Sequence, residues 1–556
     1  MSRALPRVLI CDALPDSAVA HFRRRGIAVE VHVGLKPEQL RGLVARFDGL
    51  VVRSATRVSD AILSAGRQLK VIGRAGIGVD NIDVAGATAR GIVVMNAPLG
   101  NAITTAEHAI GLLFALARQI PAAHASTQAG RWERARFLGV ELSGKTLGVI
   151  GCGNVGAVVV DRALGLKMKV VASDPFLTPE RAQALGAEKV ELGELFERAD
   201  FISLHAPLTA QTRNVLDAAA LARCRRGVRI VNCARGGLID EAALLAALQS
   251  GQVAGAALDV FAEEPALDNP LFALDSVVCT PHLGAATVEA QEHVAQQIAE
   301  QMSDFLLTGA VRNALNLAPL SAEDAPRLRP YLHLAELLGS LVGQVVSGGI
   351  EAVDIGFEGH VAKLNTRPLI NTVLMGLLRP SSAFVNAVNA PELARDRGIR
   401  TAETRSEAGG DFHTLVRVRV RGPRAGLELA GTLFSGKPRL VGIDGVGLES
   451  EMTPRMLFVR NRDTPGFIGS LGTTLGRAGV NSPISIWAAP AAAAMRYASC
   501  RWTRRSPRRC CARSRRSMAW SACTACALSP ALPTLAARLK AFVGLTDFRV
   551  AARQTG

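Results

Sequence analysis

The stretch Val149-Ile150-Gly151-Cys152-Gly153-Asn154-Val155-Gly156 constrains this chain more than any other. A short apolar run, Thr146 to Ile150, leads into it, and a helical pattern from Ala157 to Leu166 follows. A second apolar strand, Lys169 to Ala172, then ends at Ser173-Asp174. Strand, glycine turn, helix, strand and acid is the order a dinucleotide site requires. The glycines permit a tight turn and close approach of backbone to a pyrophosphate. The helix N-terminus beyond them offers free N–H groups and positive potential. Asp174 is placed to accept both hydroxyls of an adenosine ribose, and a carboxylate there repels a 2′-phosphate, so NAD is expected rather than NADP. Ordinary strand-to-helix turns use glycine too; the flanking strands and the distal acid decide for the cofactor.

Strand-like runs recur on both sides of this motif. Val8–Ile10, Val29–Val31, Gly49–Ser54, Leu69–Arg74 and Ile92–Asn96 precede it, with a helix around Asp16–Arg25 and a longer one from about Thr104 to Arg118. Ala199–Leu204, Gly227–Asn232, Val253–Val260 and Ser276–Cys279 follow it. Alternating strands and helices predict doubly wound parallel sheets. Ligands of such sheets lie beyond the carboxyl ends of the strands. Arg53 and Arg74 leave two strand ends, the second into a turn containing Gly76 and Gly78, and the pair suggests an anionic substrate. The two glycines are expected to present backbone N–H groups to it. Asn101 precedes the long helix and suits a substrate contact or a plain cap. Glu107 and His108 are neighbours on that helix, do not face each other, and read as structural.

Three further polar groups, Arg235, Glu264 and His282, leave later strand ends. Alcohol oxidation needs a base near the hydroxyl and a cation near the carboxylate of the acid. Imidazole titrates near neutrality, a carboxylate on its other nitrogen fixes the tautomer, and arginine presents a planar fork to a carboxylate. Each alone is an ordinary loop residue; their common placement makes them the candidate catalytic set.

The runs RAGIGVDNID at Arg74–Asp83, GCGNVG at Gly151–Gly156, NCARGG at Asn232–Gly237, DVFAEEP at Asp259–Pro265 and PHLGAAT at Pro281–Thr287 resemble the D-isomer-specific 2-hydroxyacid dehydrogenases. Among these the chain is similar to the long-form phosphoglycerate dehydrogenases over about residues 5–480. The resemblance implies that Arg235, Glu264 and His282 are catalytic and that Arg53, Arg74, Gly76 and Asn101 line the substrate pocket. It implies a cofactor set of Gly151, Gly153, Asn154, Val155, Gly156 and Asp174, with His205, Pro207, Cys233, Ala234, Asp259 and Gly284 at the other strand ends. Cys152 replaces a commoner leucine and puts a thiol near the cofactor. No metal is expected. The implied partners are a small anionic 2-hydroxyacid substrate and further copies of the chain, as a homodimer or homotetramer, and Trp132 suits such an interface.

The resemblance also implies a layout: a substrate-binding lobe of residues 1–98 and 286–317, an NAD-binding domain at 99–285, an intervening α+β domain at 318–452, and the start of an ACT-like domain at 453–481. Ala318 to Pro330 is polar and proline-bearing and reads as a linker. A helix opening near Pro465 and a strand from Gly479 suit the ACT start. Two rival readings exist: another D-2-hydroxyacid dehydrogenase of the glyoxylate or hydroxypyruvate reductase type, and an NAD-sensing corepressor-like binding protein.

The formal charge of +16 needs a local explanation. Residues 482–530 carry nine arginines, no acid, five of the ten cysteines and three of the four tryptophans. A nucleic-acid arm would use such arginines, and Cys523-Thr524-Ala525-Cys526 has no second pair at zinc-site spacing. A shifted reading frame near codon 482 explains all three enrichments at once. On that reading residues 482–556 are a poorly ordered tail, and a serine effector site is compromised. The remaining cysteines show no metal spacing and suggest reduced thiols. With no signal-like segment and no span long enough for a bilayer, the cytoplasm is the expected location.

Overall fold

The computed structural model describes residues 5–453 apart from 99, 322, 347–348, 383, 409 and 424–425, and beyond them positions 455–462, 469, 473, 485–488, 495–501, 522–527 and 548–551. In the first lobe every strand is followed by a return helix, so its strands lie parallel. β1 (Arg7–Ile10), β2 (Ala28–Val31), β3 (Gly49–Val52), β4 (Val71–Arg74) and β5 (Val93–Asn96) pair in the order β2-β1-β3-β4-β5. β3 and β5 are buried along their whole length, as expected of strands with helices on both faces.

The second sheet contains β6 (Thr146–Ile150), β7 (Lys169–Ser173), β8 (Glu188–Lys189), β9 (Phe201–Leu204), β10 (Val228–Asn232), β11 (Val253–Leu258) and β12 (Val277–Cys279). All pair parallel, in the order β12-β11-β10-β9-β6-β7-β8. The order reverses between β6 and β9, and the glycine turn follows β6 at that switch point. The two doubly wound sheets expected from the alternation are therefore present.

Two long helices tie the lobes together. Helix Ala102–Arg118 buries Ala106, Ala109, Leu113 and Leu116 with Val149 and Val231 of the second sheet and Val160 of the helix that follows β6. Helix Val288–Thr308 returns to the first, where Val294, Ile298 and Met302 share a core with Val8, Ile10 and Phe22. After that helix the chain runs antiparallel to β5: Leu315 N–H donates to Val94 O at 2.9 Å and Asn96 N–H to Asn313 O at 3.2 Å.

The linker expected up to Pro330 is shorter than its composition suggests. Helix Asp324–Val345 already begins at 324 and contains Pro330. Leu328, Tyr331, Leu334 and Leu338 give it a buried stripe that outweighs the lost backbone hydrogen bond. It packs backbone to backbone on helix Arg367–Leu378. A β-carbon on Gly339 would stand 2.2 Å from Val373 O, and one on Gly376 2.5 Å from Glu336 O. This pair covers a mixed sheet of β13 (Ala352–Gly359), β14 (Arg400–Ser406), β15 (Thr414–Arg421), β16 (Gly426–Phe434), β17 (Lys437–Ile443) and β18 (Val446–Glu451), in the order β14-β13-β15-β16-β17-β18.

A last sheet holds β19 (Arg455–Arg462), β20 (Ser485–Ala488), β21 (Met495–Arg501), β22 (Ala522–Ala527) and β23 (Phe548–Ala551), in the order β20-β21-β19-β22-β23. Four of its strands therefore come from the arginine- and cysteine-rich tail. The helix expected from Pro465 lies, but for two positions, outside the described residues, as does the strand start at Gly479.

Candidate active site

The carboxyl ends of the two parallel sheets carry the predicted polar residues. After β12 the chain turns at Thr280–Gly284 and offers His282, half exposed, with a left-handed backbone at φ 57°. A side-chain residue in that conformation must be held by its surroundings. The holding group is Asp259, at the end of β11 and 0% exposed. Its Oδ1 accepts from Thr280 Oγ1 at 2.6 Å and Leu283 N–H at 2.7 Å, its Oδ2 accepts from Gly284 N–H at 2.8 Å, and its carbonyl accepts from His282 N–H at 2.9 Å. Burial opposes its charge, but His108, Thr280 and the two amides outweigh that and keep its carboxyl below the ordinary range. Asp259, expected at the cofactor, thus spends its contacts on the loop that carries His282.

His282 Nδ1 lies 2.7 Å from Glu264 Oε2. Glu264 Oε1 accepts from Phe261 N–H at 3.1 Å, which fixes the carboxylate from behind. Burial works against its ionisation, yet the His282 ring, the Phe261 amide and the Arg235 charge prevail and hold its carboxyl below the usual value. With a carboxylate on Nδ1, the proton sits there and the Nε2 lone pair is left to act as base.

Arg235 leaves β10 and reaches across to the first lobe. Its Nε donates to Asp80 Oδ2 at 2.9 Å and its Nη1 to Ala234 O at 2.6 Å. Arg74, at the end of β4, lies in the same basic cluster: burial and the Arg235 charge push its guanidinium down to about 10, with Arg53 adding to the effect and Asp80 and Asp12 opposing it. It remains a cation at neutrality. Arg53 follows β3, and its Nη1 donates to Ala13 O at 3.2 Å. Three guanidiniums near one another are what an anionic ligand would neutralise.

Of the two turn glycines expected to present N–H groups, one has its N–H engaged within the turn. Gly76 N–H is already bonded to Arg74 O at 2.8 Å. What the glycines provide is room: a β-carbon on Gly76 would lie 1.7 Å from Arg74 Nη1.

On the nucleotide side, Gly151 passes under the exit of β9, where a β-carbon would meet His205 O at 2.7 Å. Gly156 faces Gly151 O, where a β-carbon would lie at 2.1 Å. Gly153 has nothing within 4 Å and leaves open space at the start of helix Asn154–Gly165. That division of labour suits a pyrophosphate over the second glycine. Asn154 Nδ2 donates to Pro98 O at 3.2 Å, and Val155 packs at the edge of the core. Asp174 Oδ2 accepts from Cys152 N–H at 2.8 Å and its Oδ1 from Phe176 N–H at 2.7 Å, so the acid is fixed beside the turn. The neighbouring Cys152 thiol is raised by burial and by Asp174.

His205 bonds Ser203 Oγ through Nε2 at 2.7 Å, and burial pushes it down to about 4. Pro207 follows it, its carbonyl accepting from Thr212 Oγ1 at 2.6 Å. Cys233 is a buried core thiol, raised by burial and Asp259, so any ligand contact there falls to its backbone. Ala234 N–H bonds Asn232 Oδ1 at 3.0 Å, and Gly284 O accepts from Thr105 Oγ1 at 2.9 Å. Arg74 Nε, Asn101 Oδ1 and His205 Nδ1 are buried and have no partner among the described residues. Buried polar atoms seldom stay unpaired, and these three lie on residues expected to meet substrate or cofactor.

Several supporting residues escape a reading of the sequence. Asp12, buried just past β1, accepts from Arg53 N–H and from Thr56 Oγ1 at 2.6 Å, and so shapes the Arg53 loop. Its place beyond the first strand end is the available signal. His108 reads as structural from its helix position; its Nε2 lies 3.2 Å from Thr280 Oγ1 and 3.3 Å from Asp259 Oδ1, directly behind the His282 loop. His108, Cys233 and Asp259 bring ligand-type atoms within 4.8 Å of one another. Asp259 already accepts from Thr280, Leu283 and Gly284, so the group serves as hydrogen-bond support for the His282 loop.

Comparison with known proteins adds to this geometry. A family model described as "D-isomer specific 2-hydroxyacid dehydrogenase, NAD binding domain" matches residues 110–284. One described as "D-3-phosphoglycerate dehydrogenase intervening domain" matches residues 327–444. The chain is 43% identical over 483 residues to the D-3-phosphoglycerate dehydrogenase of Synechocystis sp., covering 86% of this chain and 87% of that one. It is 38% identical over 487 residues to the Homo sapiens D-3-phosphoglycerate dehydrogenase, covering 86% and 91%. Among solved structures, a protein from Thermus thermophilus is 36% identical with a TM-score of 0.52, covering 56% of this chain and 99% of that one. A glyoxylate reductase from Paecilomyes thermophila is 28% identical with a TM-score of 0.53, with the same coverage, 56% and 99%.

Proposed function

This chain belongs to the D-3-phosphoglycerate dehydrogenase family, and we propose that Arg235, Glu264 and His282 carry its reaction. The reaction is the NAD-dependent oxidation of 3-phospho-D-glycerate to 3-phosphohydroxypyruvate, which opens phosphorylated serine biosynthesis. The observation that carries the assignment of residues is the 2.7 Å contact of His282 Nδ1 with Glu264. NAD, when bound, supplies the acceptor for the hydride that leaves C2. His282 Nε2 takes the proton of the C2 hydroxyl as the C–O bond becomes a carbonyl. Glu264 stabilises the imidazolium so formed. Arg235 binds the carboxylate and the nascent carbonyl oxygen, and Arg53 and Arg74 meet the remote phosphate. Asn101 Oδ1 is a further acceptor for substrate. Gly151, Gly153, Asn154, Val155, Gly156 and Asp174 would hold the cofactor, with His205, Pro207, Cys233, Ala234 and Gly284 along its far wall.

The reading of a shorter glyoxylate or hydroxypyruvate reductase leaves the domain matched at residues 327–444 without a counterpart. NADH production with 3-phosphoglycerate, compared with glycerate and lactate and repeated with serine, is the test. Turnover on the unphosphorylated acids equal to that on 3-phosphoglycerate would overturn the assignment of Arg53 and Arg74.

The proposed division is a substrate lobe of residues 1–98 and 286–317, an NAD domain of 99–285, an intervening domain of 318–452 and an ACT-like start at 453–481. The proposed assembly is a homodimer or homotetramer, supported by Trp132, 85% exposed on the segment before β6. No helix among the described residues is long and apolar enough to cross a membrane. Cys11, Cys152, Cys224, Cys233 and Cys279 are free thiols, which supports the proposed cytoplasmic location. Serine feedback is proposed to be impaired, because residues after Asn481 depart from the ACT pattern. Translating the other frames of the gene across that junction tests the frame-shift origin of 482–556; an ACT pattern missing from every frame would sink it.

A further inference from the structure

We propose that Asp80 is a positioning residue for Arg235, a clasp from the substrate lobe that sets which face of the catalytic guanidinium meets the substrate. This rests on the assignment of Arg235 to the substrate's carboxylate. Arg235 belongs to the loop after β10 and Asp80 to the turn after β4, yet Nε and Oδ2 are 2.9 Å apart. The Asp80 side chain is 67% exposed, whereas that of Arg235 is 27% exposed. An exposed acid gains little from a plain surface ion pair, so stability does not explain the contact.

The surrounding geometry is directional. Of the five N–H groups a guanidinium carries, Nε is used by Asp80 and one on Nη1 by Ala234 O at 2.6 Å. Both protons of Nη2 are uncommitted among the described residues. The turn that holds Asp80 is itself fixed: Asn81 Nδ2 donates to Arg53 O at 2.7 Å and to Thr56 O at 2.6 Å. Nη2 occupies the space over Gly78, where a β-carbon would be 1.5 Å away. Asp80 therefore occupies the Nε edge and leaves the Nη2 end for a carboxylate or carbonyl oxygen. Because it comes from the other lobe, it also makes the orientation of Arg235 depend on how the lobes approach.

The test uses the full-length enzyme with Asp80→Ala, Asp80→Asn, Arg235→Lys and the double variant Asp80→Ala/Arg235→Lys. Lysine keeps the charge but lacks the Nε donor. The expected result is a loss of about tenfold or more in kcat/KM for 3-phosphoglycerate in Asp80→Ala, with the Kd of NAD unchanged. Asp80→Asn retains an acceptor and recovers part of the loss. In the Arg235→Lys background Asp80→Ala has little further effect, because the contact is already gone. Wild-type kcat/KM in Asp80→Ala, or losses that simply multiply in the double variant, would overturn the proposal. Full activity in Arg235→Lys would instead overturn the assignment of Arg235 itself, so the two failures are told apart.

Discussion

A β-carbon on Gly78 would stand 1.5 Å from Nη2 of Arg235, a residue of the other lobe. Gly76, two residues earlier, has the same relation to Arg74 Nη1 at 1.7 Å. One turn thus makes room for two guanidiniums. The crowded atoms are the ends of flexible side chains, so the arginine and not the fold gives way. Gly78→Ala is expected to lower kcat/KM for 3-phosphoglycerate by about tenfold or more with an unchanged thermal midpoint. Gly76→Ala adds backbone strain, since its φ is 153°, and is expected to lose stability as well. Steady-state kinetics beside thermal denaturation distinguishes the two; a Gly78→Ala enzyme with normal kinetics contradicts the placement of Arg235.

His282→Ala is expected to reduce kcat by about 10²–10⁴-fold, the usual worth of a general base, while the Kd of NAD stays the same. Glu264→Gln leaves the imidazole in place without its counter-charge and is expected to fall between wild type and His282→Ala. Kinetics with a fluorescence titration of NAD checks both. Equal turnover in His282→Ala removes the histidine from the mechanism.

Arg53 and Arg74 are proposed to meet the part of the substrate that does not react. Interactions of that kind act alike on ground and transition states. Removing Arg74 is therefore expected to raise the KM for 3-phosphoglycerate with a smaller change in kcat, and Arg53→Ala to do the same more weakly, because Arg74 Nε is buried without a partner among the described residues whereas Arg53 Nη1 already donates to Ala13 O. A KM unchanged in both variants refutes the anion clamp.

His205 links the nucleotide site to pH. Its ordinary value of 6.5 is pushed down to about 4 by burial. Between those two values the unfolded chain binds a proton that the folded protein does not, so stability rises with pH across that window. The contribution is fully present above the ordinary value and is lost as pH falls toward the lowered one. Urea midpoints at pH 7 and pH 5 should therefore differ more in wild type than in His205→Gln. A larger drop in the variant would show that the ring is not buried neutral.

Much of the architecture is legible without coordinates. The alternation of short apolar runs with helical patterns encodes parallel sheets, and Gly151, Gly153, Gly156 and Asp174 announce themselves through spacing. Arg235, Glu264 and His282 stand out because strand ends are where such sheets act. The Pro330 helix does not, since proline is a local signal and the buried stripe that outweighs it is a tertiary one. Nor does the work of Asp259, whose burial under the His282 loop depends on β11 and β12 lying side by side.

What the amino-acid order decided alone is everything carried by neighbours in the chain: the strands, the glycine turn, the acid after the second strand and which residues are proposed to react. Packing alone decided how those groups are aimed. Asp80 and Arg235 are 155 residues apart, and Asp12 and Thr56 are 44 apart. Such contacts have no local signature, because a hydrogen bond is specified by where two loops meet in space and not by the spacing that brought either loop into being.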